Sequence, residues 1–214
     1  MNINFRLISV LAILSLAGCA SLKFQPSPQR TGLAPLTPPL NPSVAMAVIV
    51  QDKRPLVETE KKPSTQFRYS GSLFAVEGNE KTVATDLSNL IVQCGGASKA
   101  YPARSVPPHG PALVFEMTHW YSRAPLKPDK TLILVTGEFG GSLSLYRDGK
   151  AVVSIEISAK GVPGMIDTTE FAWQDNENSK LIWNAMMNMA NSAQQNGYSA
   201  VHRALLEHWH LLSN

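Results

Sequence analysis

The sequence predicts an α+β fold, a two-layer sandwich in which a mainly antiparallel or mixed sheet of four to five strands carries two to three helices on one face. Two observations predict it. Residues 44–50 form an uninterrupted apolar run typical of a buried strand, and an amphipathic helical pattern follows that run. Three strand-like segments come next, and the pattern then becomes helical again. This order of elements favours helices that lie together on one side of a sheet.

Composition favours one ordinary globular domain. Of the 214 residues, 44% are hydrophobic and 16% are charged, which excludes a disordered or collagen-like chain. The formal net charge of +3 comes from 19 basic and 16 acidic residues. This balance is too small and too mixed for an electrostatic nucleic-acid footprint, so we expect no nucleic-acid partner.

The first residues have the pattern of a secretory signal peptide. Residues 1–18 contain Arg6, then an apolar run, then small residues. The apolar run is about half as long as the roughly 20 residues that a membrane-spanning helix needs. Residues 16–19 (Leu-Ala-Gly-Cys) resemble a bacterial lipobox, in which the Cys19 sulfur receives a diacylglyceryl group. We therefore expect lipidated Cys19 to anchor the mature protein to a membrane without spanning it, the alternative being an ordinary secreted protein.

The residues after the lipobox indicate a location and a tether. Ala20, in place of an aspartate, favours the outer membrane in lipoproteins of the enterobacterial type, so we expect a domain that faces the periplasm. Six prolines within residues 20–43 predict a semi-rigid tether over residues 19–42 and a single globular domain over residues 43–214. The alternative is that part of the tether packs back onto the domain.

The first strand is expected at the centre of the sheet, buried on both faces, because its apolar run is continuous. Asp52 and Arg54 follow it, and we interpret them as a structural ion pair, with a functional constellation as the alternative. A short strand is the alternative for the polar stretch near residues 72–76. From about Glu80 a helix is expected, ended by Gly95-Gly96. Its apolar stripe comprises Val83, Leu87, Leu90, Ile91 and Cys94.

The remaining cysteine, Cys94, is expected as a buried small hydrophobic residue once Cys19 carries lipid. Beyond it, residues 101–111 contain four prolines and are expected as a loop. Residues 112–120 alternate as a strand.

An extended segment over residues 131–146 is expected to bend at Gly137 and Gly140-Gly141. Asp148-Gly149 predicts a tight turn into the strand over residues 152–158. The C-terminal helical pattern includes Ile182 and Met186, and Asn196-Gly197 is expected to divide it into two helices.

Several of these features together resemble the YajG-like bacterial lipoproteins. They are the lipobox, a first strand that ends in Val50-Gln-Asp-Lys-Arg54, a helix with Thr-Asp-Leu-Ser-Asn-Leu at residues 85–90, and the Asp148-Gly149 hairpin. The chain departs from that family at residues 94–108, which are rich in glycine and proline where the family continues with a glycine, an aromatic residue and a strand. The resemblance implies a small lipoprotein of the outer membrane that faces the periplasm, and it implies no mechanism.

Motifs that would define an enzyme are absent from the sequence, so we expect no catalytic residues and no cofactor. There is no nucleophile elbow, Walker loop or His-Glu-x-x-His motif, and a hydrolase is kept as the weaker alternative. His202, His208 and His210 do not share one face of a helix, so we expect no metal site. The alternative is a site completed by His109 or His119. Met186, Met187 and Met189 are expected in the core rather than in a lipid-binding groove.

The sequence therefore favours a lipid-anchored, periplasm-facing lipoprotein of the outer membrane that acts as a non-catalytic binding or accessory module. Its expected partner is another envelope protein, and its oligomeric state is left open. Trp120, Tyr121 and Arg123 are the candidate partner surface, because these residue types are enriched at binding hot spots. The alternative is a carrier or sensor that holds a lipid or another apolar ligand between the sheet and the helices.

Overall fold

A computed structural model describes residues 33–54, 72–75, 80–124, 132–167 and 176–213. The elements within these residues are, in chain order, β1 (Met46–Asp52), β2 (Ser72–Ala75), α1 (Glu80–Gln93), β3 (Ala100–Pro102), β4 (Pro111–Ala124), β5 (Leu132–Arg147), β6 (Lys150–Lys160), β7 (Gly164–Asp167), α2 (Asn176–His208) and α3 (His210–Ser213).

The sheet is mixed, as predicted. Its main path runs β3-β1-β4-β5-β6, in which β1 is parallel to both β3 and β4 and the other pairs are antiparallel. Two short strands lie off this path, since β2 pairs with the end of β4 and β7 pairs with the start of β5. The predicted α+β class, with helices and a mixed sheet, is confirmed, but the described residues form seven strands where four to five were expected, because β2 and β7 add short pairs to the five strands of the main path. Part of the expected loop at residues 101–111 instead forms the short edge strand β3.

Strand β1 is central and buried on both faces, as its apolar run predicted. Met46, Val48 and Val50 lie in the main core, together with α1. Ala47 and Ile49 point to the other face and join a smaller cluster with residues of β4. A strand with neighbours on both sides and apolar contacts on both faces holds the layers together.

Helix α1 begins and ends close to the predicted positions. Its last turn is followed by Gly95, whose φ of 67° is the left-handed conformation that ends many helices. Cys94 is 2% exposed, and burial raises the pKa of its thiol. The prediction that Cys94 is a buried hydrophobic residue is therefore confirmed.

The turn between β5 and β6 is the predicted one. Asp148 and Gly149 both have positive φ, 49° and 75°, which matches the twist of an antiparallel hairpin. Along β6, Ser154, Glu156 and Ser158 are exposed. This strand therefore has the expected solvent-facing side.

Strand β5 is continuous, and the irregularity expected from its glycines lies on the neighbouring strand. The register of β4 against β5 shifts between Met117 and His119, opposite Gly140 and Gly141. A side chain at Gly141 would collide with the backbone of β4, so these glycines allow the two strands to approach where the register changes.

Helix α2 is a single helix of 33 residues, so the expected division at Asn196-Gly197 is wrong. Gly197 is buried in the middle of the helix, where a Cβ atom would overlap the ring of Phe139 on β5. The glycine therefore serves close packing of helix on sheet and does not end the helix.

The expected boundary between tether and domain is also wrong. Residues 33–42, here called the strap, pack onto the helices. Leu36 and Leu40 are 1% and 5% exposed and belong to the main core. The amide of Leu36 donates to the Cys94 carbonyl at 2.9 Å, and that of Leu40 donates to the Gly96 carbonyl at 2.8 Å. The folded unit therefore includes residues 33–42, which agrees with the alternative that part of the tether packs onto the domain.

Contacts with the C-terminal end of α2 hold the other side of the strap. The indole nitrogen of Trp209 donates to the Pro38 carbonyl at 3.0 Å. His202 Nε2 lies 2.8 Å from the Ala34 carbonyl oxygen, and His202 is 6% exposed. The strap thus joins the C-terminal ends of α1 and α2.

Replacement of Gly197 by alanine tests the close packing of α2. Helix propensity alone favours Gly197→Ala by about 1 kcal/mol, but the added methyl group overlaps a ring held among other buried rings. We expect the overlap to outweigh propensity and to lower the free energy of unfolding by about 1–2 kcal/mol in urea titrations. Asn188→Ala, at an exposed position of the same helix, is the control and should be neutral or stabilising. Stabilisation by both variants would contradict the packing argument.

Truncation of Leu36 tests the strap. Leu36→Ala removes a fully buried side chain and should lower the free energy of unfolding by about 2–4 kcal/mol. Leu206→Ala makes the same chemical change at a residue that is 39% exposed, and it should change stability by about 0.5 kcal/mol or less. If chemical denaturation showed an equally small change in the free energy of unfolding for Leu36→Ala and Leu206→Ala, the strap would add no stability.

Candidate functional site

The predicted partner surface divides between the two faces of β4. Trp120 is fully buried, and its indole nitrogen donates to the Ala190 carbonyl of α2 at 3.3 Å. Tyr121 is 8% exposed, and Arg123 is exposed. The expectation that all three residues form one exposed surface is wrong, because neighbouring residues of a strand point to opposite faces.

A polar row forms on the side of the sheet that α2 does not cover. Tyr121 of β4 pairs with Glu138 of β5, and Glu138 pairs with Lys160 of β6. The Tyr121 hydroxyl donates to a Glu138 carboxylate oxygen at 2.6 Å. The Arg123 guanidinium carbon lies 4.6 Å from the centroid of the Tyr121 ring, within the range of a cation–π contact.

We call this side of β4, β5 and β6 the open sheet face. Its exposed or half-exposed residues are Glu116, His119 and Arg123 of β4, Glu138, Ser142 and Ser144 of β5, and Ser154, Glu156, Ser158 and Lys160 of β6. The hydroxyl groups of Ser144 and Ser154 lie 2.6 Å apart across the strands. The face therefore carries charged groups of both signs, together with fixed hydrogen-bonding groups.

Sequence reasoning missed Glu138 and Lys160 because they join Tyr121 only through strand register. Alternation along β6 does place Lys160 on the same side as Ser154, Glu156 and Ser158. In β4 the register shift interrupts this alternation, so the sequence of β4 does not indicate which of its residues share a face.

The predicted ion pair between Asp52 and Arg54 forms at the end of β1. Arg54 Nη2 lies 2.6 Å from Asp52 Oδ2, and Arg54 Nε donates to Asp52 Oδ1 at 2.9 Å. The Arg54 side chain is 3% exposed, and Nη1 also reaches the Trp120 carbonyl oxygen at 3.5 Å. These contacts attach the chain after β1 to β4, which agrees with the structural interpretation.

A second buried polar contact joins the two long helices. Tyr198 of α2 donates to an Asp86 carboxylate oxygen of α1 at 3.0 Å, and Gln194 Nε2 donates to the Tyr198 hydroxyl at 2.8 Å. Burial raises the pKa of the Asp86 carboxyl, and the bond from Tyr198 offsets part of that rise. The net effect of this partly buried position is to disfavour the charged form of the carboxyl group.

Three of the histidines each contact a different partner. His202 bonds to the strap, His119 Nδ1 lies 3.0 Å from the Thr118 hydroxyl, and His208 Nε2 lies 3.7 Å from a Glu207 oxygen. Over residues 33–54, 72–75, 80–124, 132–167 and 176–213, no group of three or more His, Cys, Asp or Glu residues could hold a metal ion.

Aromatic side chains fill the space between sheet and helices where the carrier alternative would place an apolar ligand. The Phe139 ring centroid lies 5.6 Å from that of Phe115 and 5.7 Å from those of Trp120 and Tyr198. Met186 is 1% exposed and packs in a neighbouring core cluster. The described side chains thus use this space for core packing.

A cavity of about 220 Å³ lies elsewhere, at the end of the β5–β6 hairpin. Its lining includes Leu40, Val44, Pro111, Arg147, Asp148 and Leu212. Among the helices that the structure describes, none has both the length and the apolar character to cross a membrane.

Comparison with known proteins gives similarity of layout only. No protein-family model matches the chain, and no curated protein matches it. Solved structures similar to the chain include a neuraminyllactose-binding hemagglutinin homologue from Helicobacter pylori, with 13% identity, a TM-score of 0.40 and coverage of 86% of this chain and 93% of that one.

Two further similar structures come from other bacteria. A protein from Xanthomonas campestris has 11% identity, a TM-score of 0.37 and coverage of 80% of this chain and 92% of its own. A minor lipoprotein from Acinetobacter baumannii has 12% identity, a TM-score of 0.35 and coverage of 77% and 96%, respectively. At this level of similarity neither a family nor a function is transferred, and the resemblance to YajG-like lipoproteins stays a hypothesis.

The raised pKa of Asp86 predicts a pH dependence of stability. A carboxyl group with a raised pKa in the folded state contributes stability below its unfolded pKa, and this contribution is lost as pH rises through the folded value. Asp86→Asn removes the titration while keeping an oxygen for Tyr198. We expect the stability of the variant relative to the native chain to be greater at pH 7 than at about pH 3.5.

Urea unfolding at the two pH values measures this difference. Asn89→Ala, at an exposed position of α1, adds or removes no titratable group and should have the same effect at both. If the difference in free energy of unfolding between Asp86→Asn and the native chain were the same at both pH values, the raised pKa of Asp86 would be contradicted.

Proposed function

We propose that this chain is a lipid-anchored protein of the bacterial envelope, held at the outer membrane and facing the periplasm. Its domain acts as a non-catalytic module that binds another envelope protein. The open sheet face is the binding surface.

The observation that carries this proposal is the one-sided cover of the sheet. Helix α2 and the aromatic core occupy one side of β4, β5 and β6, while Ser154, Glu156, Ser158 and Lys160 are exposed on the other. This surface presents fixed hydrogen-bonding groups and the exposed Arg123, whose guanidinium packs on the Tyr121 ring. Arginine and tyrosine are enriched at protein interfaces, where fixed side chains lose little conformational entropy on binding.

The lipid anchor is supported by the lipobox at residues 16–19 and by the short chain that follows it. Only 13 residues, 20–32, separate Cys19 from the strap. A diacylglyceryl group with a further acyl chain would hold the protein stably at a membrane surface.

A binding role is favoured over catalysis because polar groups of the open sheet face bond to one another across neighbouring strands. Tyr121 bonds to Glu138, and Ser144 bonds to Ser154. A catalytic centre instead needs a nucleophile, a base and donors that converge on one reacting atom.

Cross-linking in native membranes tests both the partner and the surface. Arg123→Glu reverses a charge on the open sheet face, and Lys81→Glu makes the same reversal at an exposed position of α1. We expect one stoichiometric envelope protein to be captured by the native chain and by Lys81→Glu, and its yield to fall several-fold with Arg123→Glu. Mass spectrometry of the purified cross-linked material measures these yields.

Cys19→Ala controls for the anchor and should move the protein from the outer-membrane fraction to the periplasmic fraction. Unchanged fractionation of Cys19→Ala would contradict the anchor. Capture that responds equally to Arg123→Glu and Lys81→Glu would place the interface elsewhere. The absence of any protein partner would overturn the binding function.

A further inference from the structure

The described chain starts on the helix side of the domain. At Ala34 the strap contacts His202 of α2, and at Leu36 it bonds to Cys94 at the end of α1. Both helices pack on the side of the sheet opposite the open sheet face. The first described residues, from which the chain leads back to Cys19, therefore lie beside the C-terminal ends of the two helices.

The length of chain between lipid and strap limits how the domain can turn. Fully extended, the 13 residues 20–32 span at most about 45 Å. A domain of this size has a radius of gyration of about 16 Å, hence a diameter of about 40 Å and a path of about 60 Å around its surface to the opposite side. The chain is too short to follow that path, so the side of the domain opposite Leu33 cannot lie against the lipid.

The exposed side chains near this point suit a phospholipid surface. Val92, on the last turn of α1, is 41% exposed, and Leu206, one helical turn beyond His202, is 39% exposed. Arg203, which follows His202, is also exposed. Exposed apolar residues beside basic ones can enter the headgroup region while the basic groups meet anionic lipid.

The open sheet face carries charges of both signs. Its carboxylates Glu116, Glu138 and Glu156, which an anionic lipid surface repels, lie with the cations Arg123 and Lys160. On the helix side, the exposed carboxylate of Glu207 lies next to His208. Both sides therefore carry mixed charge, and the length of chain between Cys19 and Leu33 decides the orientation.

We propose that the surface formed by Val92 of α1 and Arg203 and Leu206 of α2, the strap-side helix face, lies against the phospholipid headgroups. This inference rests on the lipid anchor of the proposed function. It turns the open sheet face away from the membrane, toward the protein partner.

Spin labels on the lipidated full chain test this orientation. In a Cys94→Ala background, Leu206→Cys and Val92→Cys place nitroxides on the strap-side helix face, and Ser154→Cys and Ser158→Cys place matched labels on the open sheet face. The proteins are reconstituted in vesicles of phosphatidylethanolamine and phosphatidylglycerol that contain a lipid with a gadolinium-chelating headgroup. We expect the gadolinium to speed nitroxide relaxation several-fold more at positions 206 and 92 than at positions 154 and 158.

Equal relaxation at all four positions, or faster relaxation at 154 and 158, would overturn the orientation. Flotation of the same samples with the vesicles reports the anchor separately. A protein that floats but shows no preference between the faces contradicts this inference alone, while loss of flotation contradicts the lipid anchor. The corresponding Cys19→Ala proteins should neither float nor show enhanced relaxation at any position.

Discussion

Helix α2 lies directly on the backbone of β5, and the rest of the domain depends on this close approach. The carbonyl of Met189 sits where side chains at Gly137 and Gly161 would be, and Gly197 receives the ring of Phe139. Because the helix comes so near, the aromatic residues of β4 and β5 form one packed layer beneath it. That layer covers one side of the sheet, and a long antiparallel surface is left exposed on the other.

Local signals were sufficient for much of this fold. The continuous apolar run of β1, the stripe and glycine stop of α1, and Asp148-Gly149 each specify an element through its own residues, and the structure contains all three. Asn196-Gly197 was misread because a glycine that breaks a helix and one that admits a neighbouring ring look the same in a sequence. Packing of the strap onto the domain is only the alternative prediction from the sequence, because Leu36 and Leu40 have no periodicity and only their contacts with the helix ends bury them.

The candidate surface was less predictable than the fold. Trp120, Tyr121 and Arg123 are neighbours along the chain, yet the pleat of β4 sends the tryptophan into the core. The partners that complete the surface come from two other strands through register, which composition and spacing do not encode. Asp52 and Arg54 were predictable because two residues at the end of one strand are close whatever the sheet order.

The strap changes how mechanical force enters the protein. With the proposed anchor at Cys19, the strap would be the first described part of the domain to bear a load. It is held by hydrogen bonds to the ends of α1 and α2 and by two buried leucines. A pull from the membrane would first stretch the contact between Ala34 and His202 and next draw Leu36 from its site beside Gly96 and Trp209. Tension at the bilayer would thus reach the hydrophobic core before it reached any strand, and the two leucines would decide how much of it the domain withstands.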